Sequence, residues 1–262
     1  MIKEFILPHL KSQAGKFLQD THSPDEGESH FKNYNVESLH VENMKYFTSD
    51  FICKFIEMNK NDFHSLSLTN VSFEKKMKGL VEFLKSVKTK ITTIAIEDCD
   101  MGTNLAALIE DCKGMETLEE LHLINMGLNV ATKSVLLHLY PHKKLKTLDL
   151  SHNQLTSMTE IASLLTNNQV LTEVNLSGNT ITTAENFTVL LLGLANNMSV
   201  THLSYEVSPA ILPSANNPAG IDETELTLLE DQLRLNKFIQ GHIVPKQTRY
   251  RVRATSAIDF SK

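Results

Sequence analysis

Apolar residues recur along the chain in a short, fixed pattern. The stretches Leu145–Leu155 and Leu171–Ile181 both read L-x-x-L-x-L-x-x-N-x-L, with the alternation of apolar and polar residues that is typical of a half-buried strand. The same frame fits four earlier stretches, Val36–Tyr46, Phe63–Phe73, Ile91–Met101 and Leu118–Leu128, and a less regular one around Leu203. The central apolar positions lie 26 to 29 residues apart, which predicts a series of structural repeats.

The segments between these strands have a helical period. Leu105, Leu108, Ile109 and Cys112 are spaced i, i+3, i+4 and i+7, which is typical of the apolar face of a helix. Comparable stripes are Met77, Leu80, Val81, Leu84; Thr132, Val135, Leu136, Leu139; Ile161, Leu164, Leu165; and Phe187, Leu190, Leu191, Leu194. Each repeat is therefore predicted to be a short strand followed by a helix, and stacked neighbours bury the apolar surface that one repeat exposes.

Capping signals mark the predicted ends of the later helices. The boxes Ser157–Glu160 and Thr182–Glu185 place a hydroxyl residue three positions before a glutamate, which indicates a helix start. Asparagine pairs at 167–168 and 196–197 suit the helix ends. The later repeats thus have predicted boundaries at both ends.

These repeats resemble the ribonuclease-inhibitor type of leucine-rich repeat over about residues 36 to 205. A short array closed by a C-terminal helix also resembles the terminal domain of tropomodulin-like proteins. The resemblance implies an α/β solenoid, with parallel strands on the concave face, helices on the convex face and a protein-binding role. An actin-binding, tropomodulin-like protein or a regulator of an enzyme is the alternative function.

The ninth position of the frame departs from the family pattern in the early repeats. In the family an asparagine there satisfies backbone groups of the turn, whereas this chain has Met44, Val71, Cys99 and Met126 before Asn153 and Asn179 appear. We therefore expect the early turns to be less regular than the later ones.

Composition divides the chain into five predicted segments. These are an N-terminal cap at 1–35, the repeat array at 36–208, a proline-rich loop at 209–221, a C-terminal capping helix at 222–240 and a basic flexible tail at 241–262. Phe5, Ile6 and Leu10 are expected in a short covering helix, and Leu226, Leu229, Leu233, Leu235 and Phe238 on the apolar face of the capping helix. The net charge of −6 combines a tail of +4 with a remainder of −10.

Strand alternation predicts which side chains a partner would meet. The third, fifth and seventh positions of each frame project from the sheet, opposite to the leucines. They include six carboxylates and no lysine or arginine, and the candidate binding residues are His40, Glu42, Glu97, Glu120, His122, Asp149, Glu173, Asn175, His202 and Glu206. This strip favours a basic or mixed-charge protein partner and disfavours nucleic acid. The alternative is that these charges only keep an open sheet hydrated.

The sequence offers little support for catalysis, so we expect a non-enzymatic protein without a cofactor. All four arginines lie outside the repeats, and neither a P-loop nor a GxSxG motif occurs. His138 and His142 are spaced i, i+4, but Pro141 ends the helix that would align them on a metal, so no metal site is expected. Cys99 and Cys112 are predicted to be buried structural thiols.

Targeting features are sparse. The longest apolar run, Val189–Ala195, is far shorter than a membrane span, which predicts a cytoplasmic chain without a transmembrane segment. The C-terminal Thr255–Lys262 resembles the translocation signals of bacterial effectors, some of which carry leucine-rich repeats and act in the host cytoplasm. This tail has two other interpretations. It could be a solubilising end, or it could make a second contact with an acidic surface or membrane.

Overall fold

The computed structural model describes residues 4–7, 37–43, 63–72, 90–101, 104–112, 114–128, 132–212, 220–221 and 223–241. They belong to two compact units, Met1–Met126 and Gly127–Lys262, here called the first and second units. Several predicted features lie outside the described residues, among them the stripe Met77–Leu84, most of the N-terminal segment and the tail after Gly241.

The first unit is a sheet of parallel strands. In chain order these are β1 (Glu4–Leu7), β2 (Ser38–Glu42), β3 (Ser65–Thr69), β4 (Thr93–Glu97) and β5 (Glu120–Ile124), and each pairs with the next. Helix α1 (Asn104–Cys112) connects β4 to β5. The predicted register is confirmed, because the fourth-position residues Leu39, Leu66, Ile94 and Leu121 pair in sequence and are fully buried.

The edge of this sheet differs from the expected covering helix. Phe5 and Ile6 lie in β1, where they pair with Leu39 and His40, so the expected helix is wrong at these positions. The physical reason is that an uncovered edge strand exposes a row of backbone donors and acceptors, and a parallel strand satisfies them directly. Leu10, the third residue expected in that helix, lies outside the described residues.

The second unit alternates helices and short parallel strands. Its elements are α2 (Thr132–Leu139), β6 (Thr147–Asp149), α3 (Thr159–Asn167), β7 (Glu173–Asn175), α4 (Ala184–Ala195), β8 (His202–Ser204), a 3-10 turn at Pro209–Ile211 and α5 (Glu223–Ile239). Leu148, Val174 and Leu203 pair in register, although Leu203 is only half-buried. Parallel strands with intervening helices confirm the predicted α/β fold.

The predicted helix stripes form the core. Leu108, Ile109 and Cys112 of α1 are fully buried, and so are Ile161, Leu164 and Leu165 of α3. Phe187, Leu190 and Leu194 of α4 are also fully buried, whereas Leu191 is half-buried. Burial of these stripes between neighbouring repeats is the main source of stability for such an array.

Gly193 allows α4 to pack closely on α3. A Cβ atom at Gly193 would lie 2.5 Å from the Cα of Ala162, a distance that real Cβ atoms do not reach. The two helices can therefore approach only because position 193 has no side chain.

The capping signals are off by one position. The N-cap of α4 is Thr183, whose hydroxyl accepts a hydrogen bond from Asn186 N at 3.2 Å, rather than Thr182. The residue at the N-cap of α3 is Met158, and the hydroxyl of Ser157 accepts from Thr159 N. Asn168 and Asn196 are the C-caps, as the asparagine pairs predicted.

Helix α5 buries a different face from the one predicted. Leu229 and Leu233 are buried, but Leu235 and Phe238 are 50% and 80% exposed. Asn236 and Lys237 are buried in their place, because Asn236 Nδ2 donates to Val200 O at 2.8 Å and so continues the polar contacts of the preceding repeat.

Candidate functional site

The outward positions of the first unit form rows across its strands. The fifth-position row is His40, Ser67, Ala95 and His122, so two strands separate the two histidines. Glu42 and Glu97 belong to the seventh-position row, with Thr69 between them. Because parallel strands lie about 4.8 Å apart, the carboxylate-bearing positions 42 and 97 are roughly 10 Å from one another.

Glu120 is the most connected carboxylate of this face. Its Oε2 lies 3.8 Å from His122 Nε2 and accepts a hydrogen bond from Thr93 Oγ1 at 3.4 Å. The Glu120 side chain is 49% exposed and the His122 side chain 25%. This pair is therefore open to solvent on one side, and Glu42 is exposed as well.

In the second unit, Asp149 and Asn175 have a structural role. Asp149 Oδ1 accepts from Ser151 N and Oδ2 accepts from Asn175 Nδ2, both at 2.8 Å. Asn175 Oδ1 in turn accepts from Ser177 N at 3.1 Å. These side chains shape the ends of β6 and β7, which the sequence analysis did not anticipate.

Glu173 and His202 form the more accessible pair of the second unit. Glu173 Oε1 lies 3.9 Å from His202 Nδ1, and both side chains are more than half exposed. Glu206 lies after the end of β8 and is half-buried, and its backbone carbonyl accepts from Ile181 N at 2.8 Å. The structure thus brings three pairs of predicted residues together: Glu120 with His122, Asp149 with Asn175, and Glu173 with His202. It does not bring Glu42 and Glu97 together.

The turns that follow the strands contain a feature that the sequence analysis missed. The eighth position of the frame has a left-handed backbone in the first six repeats, with φ from 50° to 73° at Asn43, Asn70, Asp98, Asn125, His152 and Gly178. Asparagine, aspartate and glycine tolerate this conformation best, so their recurrence at the eighth position was the available signal.

The eighth-position side chains also bond to one another in the first unit. Asn70 Nδ2 donates to Asn43 Oδ1 at 2.7 Å, and Asn125 Nδ2 donates to Asp98 Oδ1. The φ angles of these four residues lie between 50° and 53°. The expectation of less regular early turns is therefore wrong at these positions, because polar contacts at the eighth position replace those expected at the ninth.

Cys99 occupies the ninth position as a substitute for asparagine. Its Sγ accepts from Val71 N at 3.4 Å and lies 3.2 Å from Glu97 O, so the thiol serves as both acceptor and donor for the turn. Burial raises the pKa of the Cys99 thiol above its usual value. Cys99 and Cys112 are both buried, as the sequence predicted.

The described residues contain no group of three or more His, Cys, Asp or Glu side chains that could hold a metal ion. Helix α2 ends at Leu139, before Pro141, so His138 and His142 do not share a helix. Within the same ranges, none of the helices has the length and apolar character needed to cross a membrane.

The strands, helices and repeat register define an α/β fold of the leucine-rich-repeat type. No family model and no curated protein matches the sequence. Among solved structures, the chain is similar to "Leiomodin-1 Actin-Binding Site 2 (ABS2)", with a TM-score of 0.54 and 17% identity over 64% of this chain and 94% of that chain. At this identity the similarity concerns the fold.

Proposed function

We propose that this chain is a protein-binding module and that its outward strand residues form the binding surface. The observation that supports the proposal is the chemistry of these positions. In β2 to β8 they carry carboxylates, imidazoles, hydroxyls and amides, except at Ala95 and Ile124, and these strands contain no lysine or arginine. Open sheets of this kind present a rigid surface, since the buried alternate residues hold the backbone in place.

Charge favours a basic partner, above all for the first unit. The sequence of Met1–Met126 contains 14 lysines, no arginine and 20 carboxylates, which is a net charge of −6, and the described carboxylates occur on the strands, in the turns and on α1. A field of one sign attracts a partner of the opposite sign and speeds its association, and it repels nucleic acid phosphates. The proposed partner is therefore a protein with a basic contact surface.

The ten candidate residues do not have equal roles in this proposal. Glu42, Glu120 and Glu173 are exposed and their side chains can exchange present contacts for those of a partner. Asp149 and Asn175 hold backbone amides of the turns, so their replacement would change the fold locally before it changed binding. The exposed glutamates are therefore the residues to test.

The experiment compares two charge reversals of equal size. Immobilised full-length protein captures partners from a lysate, in parallel with Glu42→Lys/Glu120→Lys and with Glu110→Lys/Glu116→Lys. Glu110 on α1 and Glu116 after it are exposed away from the strands. Partners lost from the strand variant and kept by the control variant support the proposal. Capture that is identical for all three proteins would contradict it.

Actin is the specific alternative partner, because the similar solved structure is that of an actin-binding site. Co-sedimentation with filamentous actin tests it directly. Pelleting of the full chain with actin, and weaker pelleting of Glu42→Lys/Glu120→Lys, would identify actin as the partner. Protein that remains in the supernatant would eliminate this alternative and leave the basic-partner proposal intact.

The proposal that the chain is a translocated effector rests on the sequence of Thr255–Lys262, which lies outside the described residues. A translocation reporter fused to the full chain and to residues 1–241 tests it. Delivery by the full chain alone supports a signal in the tail, and equal delivery of both fusions would refute it.

A further inference from the structure

Exposed apolar side chains concentrate along α4, the loop after it and α5. These side chains are between 49% and 80% exposed, and they define the α4–α5 surface: Leu192, Met198, Leu228, Leu235, Phe238 and Ile239. Single exposed leucines are ordinary on protein surfaces, whereas a group of this size on neighbouring elements indicates a contact site.

The surface is continuous along α5. Leu228, Leu235 and Ile239 are spaced i, i+7 and i+11, so they lie in one line on the helix. With a rise of 1.5 Å per residue this line is roughly 16 Å long, which corresponds to three turns of a helix.

Two hydrogen bonds place α4 and the loop after it beside α5. Thr188 Oγ1 donates to Glu225 Oε1 at 3.2 Å near the start of α5. Leu192 is one turn after Thr188 and Leu228 is about one turn after Glu225, so each leucine follows the bonded pair by a turn of its own helix. At the other end, Gln240 Nε2 donates to Met198 O at 3.2 Å.

Carboxylates flank the apolar line. By helix geometry Glu225 and Asp231 lie on opposite sides of it, about 60° from Leu228. The nearest arginine, Arg234, donates to Asp231 at 3.0 Å and to Glu230 at 3.4 Å, so its charge is offset locally. Lys237 is only 6% exposed and turns away from the line.

We propose that the α4–α5 surface binds an amphipathic helix of a partner protein, with leucine-type side chains on its apolar face and lysine or arginine beside them. A helix of about three turns matches the length of the line. Its basic residues would pair with Glu225 and with the Glu230–Asp231 pair, which keeps one net negative charge beside Arg234. A second copy of this chain fits less well, because it would bring the same carboxylates to the contact. This site lies on the helices and is separate from the proposed strand surface.

A designed peptide tests the proposal on the full chain. The probe is a labelled 18-residue helix of leucine and lysine with one apolar face, and its binding is followed by fluorescence anisotropy. We expect saturable binding at a ratio of one to one. A scrambled peptide of equal charge, which has no apolar face, should bind at least about tenfold more weakly.

Protein variants locate the site. Leu228→Ser/Leu235→Ser should weaken peptide binding by about tenfold or more, since central apolar residues dominate such contacts. Leu137→Ser is the matched control, because Leu137 on α2 is 49% exposed. Circular dichroism checks that each variant is folded. The scrambled peptide adds a test on the unmodified chain, which does not depend on the folding of any variant.

Three results would overturn the proposal: equal binding of the scrambled peptide, equal loss in Leu137→Ser, or no binding by the full chain. Light scattering that shows a dimer, dissociated by Leu228→Ser/Leu235→Ser, would assign the surface to a second copy and also overturn it. Glu42→Lys/Glu120→Lys should bind the peptide as the unmodified chain does, so this test is independent of the proposed strand surface.

Discussion

The two units stabilise the turn after each strand with different polar contacts. In the first unit strands β2 to β5 have five residues each, and in the second unit strands β6 to β8 have three. The fifth position of the frame accounts for the early end of β6 and β7. It holds His40, Ser67, Ala95 and His122 in the first unit, but Asp149 and Asn175 in β6 and β7 of the second.

In β6 and β7 an aspartate or asparagine at the fifth position ends the strand, because its side-chain oxygen accepts the backbone amide two residues later. Asn175 Oδ1 accepts a hydrogen bond from Ser177 N. If β6 and β7 continued, Ser177 N would instead donate to Leu150 O of the neighbouring strand. Leu150 O is instead bonded by Asn153 Nδ2 at 2.9 Å and Asn179 Nδ2 at 2.8 Å. The fifth and ninth positions therefore act together. The fifth-position side chain accepts from the backbone amide of Ser177, and the ninth-position asparagines donate to the backbone carbonyl of Leu150.

A second set of buried asparagines continues this arrangement at the helix ends of the second unit. Asn197 Nδ2 donates to Leu165 O and Asn168 O, and Asn168 Nδ2 to Leu139 O. Asn236 of α5 extends the series to the last strand through Val200 O. The comparison teaches that buried amides link successive repeats in the second unit, whereas the first unit links them by longer strands and eighth-position contacts.

The strongest test of this comparison is Asn179→Ala. Asn179 is buried, donates to Leu150 O and Leu176 O, and accepts from Asn153 N and Leu155 N. Its removal leaves several buried backbone groups without this partner, so we expect a loss of about 3 to 4 kcal/mol in the free energy of unfolding. Denaturant unfolding measures it, with the exposed Thr180→Ala as control. A loss below about 1 kcal/mol would show that the asparagines do not hold the second unit together.

The corresponding change in the first unit is Cys99→Ala. The thiol contacts Val71 N and Glu97 O more weakly than an amide would, so we expect a loss of about 1 to 2 kcal/mol. Urea unfolding of Cys99→Ala and Asn179→Ala under the same conditions gives the two losses in the free energy of unfolding for comparison. If Cys99→Ala costs as much as Asn179→Ala, the contrast between the units is wrong.

Asn70→Val tests the left-handed turns of the first unit. At a φ of 51° a β-branched residue is strained, and the bond to Asn43 Oδ1 is lost, so we expect a loss of about 1 to 2 kcal/mol. Asn70→Gly loses the same bond without the strain, and should be less destabilising than valine in the same thermal or urea unfolding experiment. Equal losses would mean that backbone strain contributes nothing.

Alkaline pH should destabilise the second unit through Tyr205. Burial, and to a lesser extent the nearby Glu230, raise the pKa of Tyr205 to about 12, so its ionisation is disfavoured in the fold. Stability from this group is complete below the unfolded pKa of about 10 and is lost as the pH rises through 12. Absorbance titration should show one of the five tyrosines ionising late, and Tyr205→Phe should remove that step. A normal titration for all five would contradict this.

Much of the fold was predictable because it depends on a repeating register. The frame placed Leu39, Leu66, Ile94 and Leu121 in one buried row, which the structure confirms. It did not predict β1, since four residues are too few to show a period, nor the exposure of Phe238. For the candidate site, the frame did not distinguish Asp149, which shapes a turn, from Glu173, which is exposed to solvent, nor did it predict that Ser151 at an outward position is buried.

The sequence by itself determined the α/β repeat, the register of the strands and the acidic character of their outward side, because these follow from side-chain period and charge. Only the tertiary structure decided which polar side chains are occupied by backbone groups and which face of α5 remains open. Those outcomes depend on how one repeat meets the next: Asn236 is buried against Val200 O, and Leu228 and Leu235 are left exposed. Hydrogen bonds between neighbouring repeats, and between the last repeat and α5, join residues 24 to 42 positions apart, and no local pattern reports them.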